Sequence, residues 1–473
     1  MTGSLLLRNA RLWPDGRRGS VLVDGGRIVA LEDGPAERDL DLGGAMLLPG
    51  FIDTHTHLGW AGEALWQVRW AAADHREAAL EAVRAAAARI DPGFWLLGGG
   101  WSRGRLRDAE LPTLQELDAA CGDAPAFLVC DDGSLGVVNT RAMALMRLDV
   151  VGDPIGGRID PDAGLLHDAA TRAMATHDVV PEVDRHRRWG ELRAALRELP
   201  GLGITEVHDI ATYPSEPESP LVRWERSYTD ATLYDETDLP ARVSVRPSLH
   251  RRHEFLNERP SRVEGLKLFA GVTYRYPGRA TAAAWIREAH DAGVPVSVHS
   301  LDDAVCAETL DLFEPLAPGG PRHRIVHARS LRRADIHRVA RLGLVVEAQP
   351  WDTLEDPRNT GDPEAVDLPL RSLLDAGAHV ALGSDWRDDN LVPLDPLAEI
   401  RAAVERDAEA ITVAEAVDCY TRGGAYAGGN ETRRGAIRAG FEADLVAIAA
   451  DPDCLLDGQV RLTVCGGRVT FAA

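Results

Sequence analysis

Along most of the 473-residue chain, apolar positions come in short runs bounded by glycine, proline or charged residues, not in one long helical stripe. In the first 50 residues, SLLLRNARLW, SVLVDGGRIVALED and AMLLPGF alternate such runs with turn signals, the pattern of small antiparallel strands. ADLVAIAADPD and VRLTVCGGRVTFA repeat it near the carboxyl terminus. Residues 1–50 and 430–473 are therefore expected to build one composite β-sandwich. Between them, FIDTHTH, ITEVHDI, ARVSVRPSLH, VEGLKLFAG, VPVSVHS, HRIVHA, LVVEAQP and HVALGSD read as short strands separated by Ala-rich helical segments. Strand, helix, strand repetition implies parallel pairing with helical crossovers, hence a (β/α)8 barrel or a doubly wound sheet. The number of runs favours an α/β fold with a (β/α)8, TIM-like barrel over residues 51–429. From about residue 61 to 200 the rhythm breaks into long helical stretches, a glycine-rich GGGWSRGR and a strand-like APAFLVC. That interval is expected to be a subdomain inserted after the first barrel strand.

Composition narrows the class of function. With 52 basic and 74 acidic side chains the net charge is −22. Such a surface repels polyanions, so nucleic acid is not expected as a partner, and a neutral or cationic small molecule is weakly favoured. The opening MTGSLLLRNARLW has too short an apolar run for a signal peptide, and no stretch of about 18 apolar residues appears. A cytoplasmic protein without membrane association is expected; the oligomeric state, a homo-oligomer included, stays open. The six cysteines are dispersed without CxxC spacing, which argues for core thiols over a disulfide framework or a cysteine zinc site. Lysine is nearly absent: Lys267 is the only one. Arginine cannot lose its proton in a protein, whereas a buried lysine can become a neutral, reactive amine.

Polar residues gather where the barrel strands end. His55 and His57 follow FID, Lys267 lies within VEGLKLF, His299 ends VPVSVHS, His327 ends HRIVHA and Asp385 ends VALGSD. In a barrel the carboxyl ends of the strands share one mouth, so these residues converge. The imidazoles of HTH are two residues apart and share one face of an extended strand. Neutral imidazole and carboxylate suit zinc and similar divalent metals.

LPGFIDTHTHLGW, GLKLF, VHSLDD, HRIVHARSL, EAQP, VALGSD, AVDCYTRGGAYA and RRGAIRAGFEADLVAI, in this order across nearly the whole chain, resemble the amidohydrolase superfamily. Within it they are similar to the branch of metal-dependent hydrolases that includes N-substituted formamide deformylases. The resemblance implies a (β/α)8 barrel beside a β-sandwich, with His55, His57, Lys267, His299, His327 and Asp385 at a site for one or two Zn2+ or similar ions. It also implies carboxylation of Lys267, whose carbamate bridges two metals in many members. Three segments depart from the branch pattern: Ala270 and Gly271 replace Asp-Gly, Leu301 to Asp303 replace Ile-Gly-Asp, and Asp132, Gly133 and Ser134 replace Asp-Gly-His.

Other positions have both a functional and a structural reading. His208 and Asp209 end the second strand and suit substrate contact, an N-cap or a satisfied core imidazole. Asp303 suits the cap of the helix DDAVCAETLDLF or the orientation of a ligand histidine. Trp101, Trp386 and Arg387 suit a pocket wall or ordinary packing. His323 begins its strand and is no second site, since strand residues four apart lie roughly 13 Å apart. GGG and GSD lack the spacing of nucleotide-binding motifs. The expected activity is metal-dependent hydrolysis of an amide-type C–N bond of a small molecule, with Asp385 as proton shuttle. An ester or cyclic-imine hydrolase, or a catalytically silent scaffold, are the alternatives.

Overall fold

The computed structural model describes all residues except 1–2, 60, 62–67, 71–72, 91–92, 102–105, 107–110, 131–133, 151, 155, 169, 172–184, 211–233, 235–238, 258–261, 270–277, 318, 352–363, 387–393, 407 and 451–453. Five amino-terminal strands between Leu5 and Pro49 and three carboxyl-terminal strands, Leu445–Ala449, Gln459–Cys465 and Arg468–Ala472, share one eight-stranded sheet. The two ends of the chain join where Leu445–Ala449 runs antiparallel to Met46–Pro49, with Leu445 opposite Pro49 and Ile448 opposite Met46. Alternation puts Leu5, Leu7, Val21, Val23, Leu445 and Val464 into a common apolar cluster. Gly466 and Gly467 turn one hairpin of this sheet with positive φ, and a Cβ on Gly467 would stand 2.7 Å from the Cα of Gly26 in another. Only glycine lets the two hairpin tips meet.

Eight parallel strands follow the predicted runs. They are β1 (Phe51–Thr56), β2 (Ile204–Asp209), β3 (Arg242–Val245), β4 (Leu266–Phe269), β5 (Val296–Ser300), β6 (Arg324–His327), β7 (Val345–Ala348) and β8 (His379–Leu382). Ladders join β1, β2 and β3 in one run and β4 to β8 in sequence order in another. No continuous eight-stranded ladder closes among the described residues. Isolated parallel bridges span both gaps, Ser248 with Lys267 and Thr56 with Trp386. The backbone N–H groups of Lys267 and Asp385 donate across the same gaps to Pro247 O and His55 O, each at 2.8 Å. The architecture is α/β and TIM-barrel-like.

A period of two organises the strands. Leu266, Leu268, Val296, Val298, Ile325, Val346, Val380 and Leu382 belong to the large apolar cluster, together with Ile286, Leu310, Val339 and Leu373 of the connecting helices. Between them, Lys267, Ser297, Arg324, Glu347 and Ala381 occupy the alternate positions, every one buried. The apolar face thus covers the helices, and the opposite face is largely polar. Aliphatic layers usually fill such an interior; here a functional explanation is needed.

The interval between β1 and β2 forms its own six-stranded sheet, from Val68–Arg69 to Leu165–Asp168, with helices Arg76–Ala87, Leu114–Cys121 and Thr140–Met146. No helix among the described residues is long and apolar enough to cross a membrane. Five cysteines are buried as expected; Cys454 is exposed, contrary to a core placement.

Candidate metal centre

The site is built at the carboxyl ends of the strands. In the β1–β2 ladder Asp53 faces Val207 and Thr56 faces Asp209, so β1 carries one extra residue just where the HTH segment begins. Such a bulge re-aims side chains near a site. Asp53 pins this segment: its Oδ1 accepts from the backbone N–H groups of His55 (3.1 Å) and Ser384 (3.0 Å), and Tyr420 Oη donates to its Oδ2 (3.1 Å). Burial lifts the Asp53 carboxyl to about 6 against these hydrogen bonds. Gly383 permits β8 to lie against this segment, since a Cβ there would stand 2.7 Å from His55 N. Close strand packing therefore accounts for the glycine of GSD.

His55 Nε2 stands 3.4 Å and His57 Nε2 3.1 Å from Asp385 Oδ1. One ligand atom from each of the three residues lies within 4.8 Å of the others, and all three side chains are buried. Beside them the His327 ring centroid is 5.1 Å from that of His55 and 4.6 Å from that of His299. His327 Nε2 and His299 Nδ1 are 3.0 Å apart. Tetrahedral ligands held at 2.0–2.1 Å from zinc stand about 3.3 Å from one another. The two contacts of Asp385 and the His299–His327 contact match that spacing to within about 0.3 Å. Strict alternation after Arg324 would turn His327 toward the helices. Its φ of 69° places it in the left-handed region, and its ring meets His55 and His299 instead. Asp385 also has positive φ, 54°. Such backbone costs on the order of 1–3 kcal/mol per residue and concentrates at functional sites.

Burial first, then the Lys267 charge, holds His55 well below the usual imidazole range; burial and His327 do the same for His299. Neutral rings are the form that binds metal. Lys267, fully buried on β4, is brought down to about 7 by burial first and by Arg246 second. The chain thus offers neutral imidazoles, a carboxylate and a readily deprotonated amine in one enclosed place, a donor set that fits a divalent ion.

Beneath this set the interior is ionic. Glu347 Oε2 accepts from Arg246 at 2.7 Å and its Oε1 from Arg324 at 2.6 Å. Arg246 also donates to the Thr54 carbonyl of β1 and to Ser297 Oγ (2.9 Å). Glu264 pairs with both guanidiniums at 3.1 Å. Burial alone would raise the Glu347 carboxyl, but the two arginines outweigh it and hold it well below its ordinary range. Removing one partner of such a buried pair typically costs about 3–5 kcal/mol, because an uncompensated charge is left behind.

The pH behaviour of Lys267 can be checked in protein freed of metal by a chelator. The unfolded chain keeps the lysine proton up to its ordinary 10.5, whereas the folded amine gives it up near 7. Between those values the unfolded state binds more protons, so the penalty of burying Lys267 is full below about 7 and is relieved as pH rises. Lys267→Met removes this contribution. Its stability advantage over the metal-free wild type is expected to shrink by about 2–3 kcal/mol from pH 7 to about pH 9, at 1.36 kcal/mol per unit. Denaturant unfolding at both pH values measures it, and a constant difference would refute the shift.

The remaining candidates lie elsewhere. His208 is buried in the ionic interior, with Nδ1 3.2 Å from Glu264 and Nε2 3.5 Å from Glu206. Asp209 Oδ1 accepts from Leu58 N at 2.7 Å, tying β2 to the turn after His57. Trp101 is fully buried in the inserted segment's apolar cluster, edge-on to Trp70 at 5.1 Å, which is a packing placement. Trp386 is half-buried directly after Asp385, and its carbonyl accepts from His57 N at 2.9 Å. Arg387, Ala270 and Gly271 lie outside the described residues. Asp303 is not the helix cap: Asp302, with extended backbone, accepts from Val305 N at 2.8 Å, while Asp303 pairs with Arg332 at 2.6 Å. His323 directly precedes β6, where its Nδ1 accepts from Val296 N at 3.0 Å. Sequence reasoning missed Asp53, Arg246, Glu264, Arg324, Glu347 and Gln349. The available signal was a single charged or amide residue inside otherwise apolar strand runs.

Residues 39–471 match the Amidohydrolase family, and the chain belongs to it. It is 26% identical over 521 residues to the N-substituted formamide deformylase of Arthrobacter pascens, covering 93% of this chain and 92% of that one. It is also 26% identical over 498 residues to YtcJ of Bacillus subtilis (strain 168), named as an amidohydrolase, covering 92% and 91%. Among solved structures it is similar in fold to an uncharacterized metal-dependent hydrolase from Pyrococcus furiosus, with a TM-score of 0.73, 21% identity, and 95% and 99% of the two chains covered. The protein is a hydrolase of the amidohydrolase family, and the His55, His57 and Asp385 group supports a divalent metal.

Proposed function

We propose that the protein cleaves an amide-type C–N bond of a small molecule inside a closed (β/α)8 barrel, using a divalent metal centre. The observation that carries this reading is the convergence of His55, His57 and Asp385, with ligand atoms within 4.8 Å, beside the close His299 and His327 pair. His55 and His57 would hold one ion with Asp385, and His299 and His327 a second, with Lys267 serving both. A bound divalent ion acidifies water to near neutrality and polarises a carbonyl.

The chain's own residues supply the proton traffic and the positioning. Asp385 takes a proton from the attacking water and returns it to the leaving nitrogen, since a ligand imidazole has no free lone pair for that task. The neutral Lys267 amine would add to the carbon of carbon dioxide and lose a proton, giving a carbamate that would serve as an anionic ligand to the ions. Two arginines, Arg246 and Arg324, match two carboxylates, Glu264 and Glu347, in the cross-linked ion pairs beneath the site. That balance leaves a carbamate at Lys267 to meet the charge of the ions. The similarity to an N-substituted formamide deformylase favours an N-acyl or N-formyl substrate.

Metal analysis of protein purified without added zinc, followed by a panel of N-formyl, N-acyl and cyclic amides and matched esters, tests the reading. Bound metal and chelator-sensitive amide hydrolysis are expected. Hydrolysis of esters alone would move the assignment to that class, and a chain that takes up no metal would end it. The His55→Ala, His57→Ala double variant is expected to lose bound metal and, in zinc, the part of its thermal stability that metal binding supplies, about 2.7 kcal/mol at 100-fold excess over Kd. Unchanged metal content would reject these ligands.

A further inference from the structure

We infer that β7, which contributes no ligand, positions the metal-binding imidazoles on both sides of the site through Glu347 and Gln349. This rests on the metal-centre reading above. The two residues are two apart, Glu347 within β7 and Gln349 directly after its end, and are buried to 0% and 2% exposure. Gln349 Oε1 accepts from His327 Nδ1 at 2.8 Å, and Gln349 Nε2 reaches the Glu347 carbonyl at 3.4 Å. The second contact sets which way the amide faces, so the oxygen is the atom presented to His327. The His327 proton is thereby held on Nδ1, leaving the Nε2 lone pair on the side of His299. Glu347 Oε2 stands 3.7 Å behind His55 Nδ1, an electrostatic contact longer than a hydrogen bond, while His55 Nε2 faces Asp385. The same carboxylate is clamped by Arg246 and Arg324 at 2.7 and 2.6 Å, so it cannot swing away from the ring. Each partner stands behind a ring nitrogen and leaves the other nitrogen directed inward. A ligand imidazole whose remaining N–H is held by a carboxylate or carbonyl keeps its tautomer and orientation, and losing that partner typically weakens metal binding about 10- to 100-fold.

Glu347 has a second duty as counterion, so its variants alone would confound folding with positioning. Gln349 separates the two because its side chain bonds to His327 and the Glu347 carbonyl and takes no part in the ion pairs. Zinc affinity is measured by competition with a chromogenic chelator, alongside thermal unfolding of the metal-free proteins. Gln349→Leu is expected to bind Zn2+ about 10- to 100-fold more weakly, with metal-free unfolding close to wild type, and Gln349→Glu, which keeps an acceptor for His327, to retain most of the affinity. Glu347→Gln is expected to weaken Zn2+ binding as well, with a lowered metal-free unfolding temperature that reports its counterion role. Wild-type affinity in Gln349→Leu overturns the inference, as does equal weakening in Gln349→Leu and Gln349→Glu. A wild type that itself binds no zinc instead fails the metal-centre reading, so the two failures are told apart.

Discussion

Lys267→Arg is expected to be as inactive as Lys267→Ala, with turnover lowered on the order of 10²- to 10³-fold, the scale of removing one preorganised electrostatic group. Arginine preserves positive charge and hydrogen-bonding capacity, so a lysine that only pairs with a carboxylate should tolerate it with modest loss. A lysine that must shed its proton and react with carbon dioxide should not, because a guanidinium stays charged at any attainable pH. The surroundings sharpen the contrast. Lys267 is fully buried, and Arg246 already counts against a charge there. A guanidinium at this position would add an ion that the pairs beneath the site do not balance. Metal-free Lys267→Arg is accordingly expected to unfold at lower temperature than Lys267→Met. Metal content should fall in both Lys267→Arg and Lys267→Ala, and a short carboxylate or bicarbonate added to the Ala variant should restore part of the activity by taking the place of the carbamate. A folded, active Lys267→Arg protein holding two metals would end the carbamate proposal.

Much of the barrel region was legible because its strands obey two constraints at once. Each is a short apolar run, and several end in or just before a residue too costly to bury without a purpose, as with His299 after VPVSV or Asp385 after VALGS. The HTH spacing carried the same information for His55 and His57, although the bulge that turns them inward left no local mark in the sequence. The ionic interior was harder to read. Arg246 in ARVSVRPSLH, Arg324 in HRIVHA and Glu347 in LVVEAQP each look like isolated exceptions in their own strands. Their meaning lies in pairing across the barrel, 101 residues apart for Arg246 and Glu347, and no local pattern encodes that partner. Trp101 failed for the converse reason: its surroundings are set by the fold of the inserted segment, which packs it on Trp70. Adjacent residues of one type were also hard to tell apart, as Asp302 and Asp303 show, since which of them caps the helix depends on one pair of backbone angles.

Asp385→Asn is expected to lower turnover by roughly 10²- to 10⁴-fold, the usual contribution of a positioned general acid and base, while leaving the fold largely intact. The substitution suits the backbone. Asp385 sits at φ 54°, a conformation that asparagine tolerates about as well as aspartate and that most other residues resist. Its backbone N–H would still donate to His55 O, so the junction of β8 with β1 should hold. The amide differs where the proposed chemistry lies: it could not accept the proton of the attacking water, and it would be a weaker ligand for an ion held by His55 and His57. Two effects are therefore folded into one variant, and they separate in measurement. If Asp385 acts only as a ligand, excess zinc should restore turnover in step with occupancy. If it also shuttles the proton, the variant should stay slow when fully loaded, and the acidic limb of its pH–rate profile should disappear along with the carboxylate that produced it. Wild-type turnover in a metal-loaded Asn variant would remove Asp385 from the proton path and leave the role to another group at the mouth of the barrel.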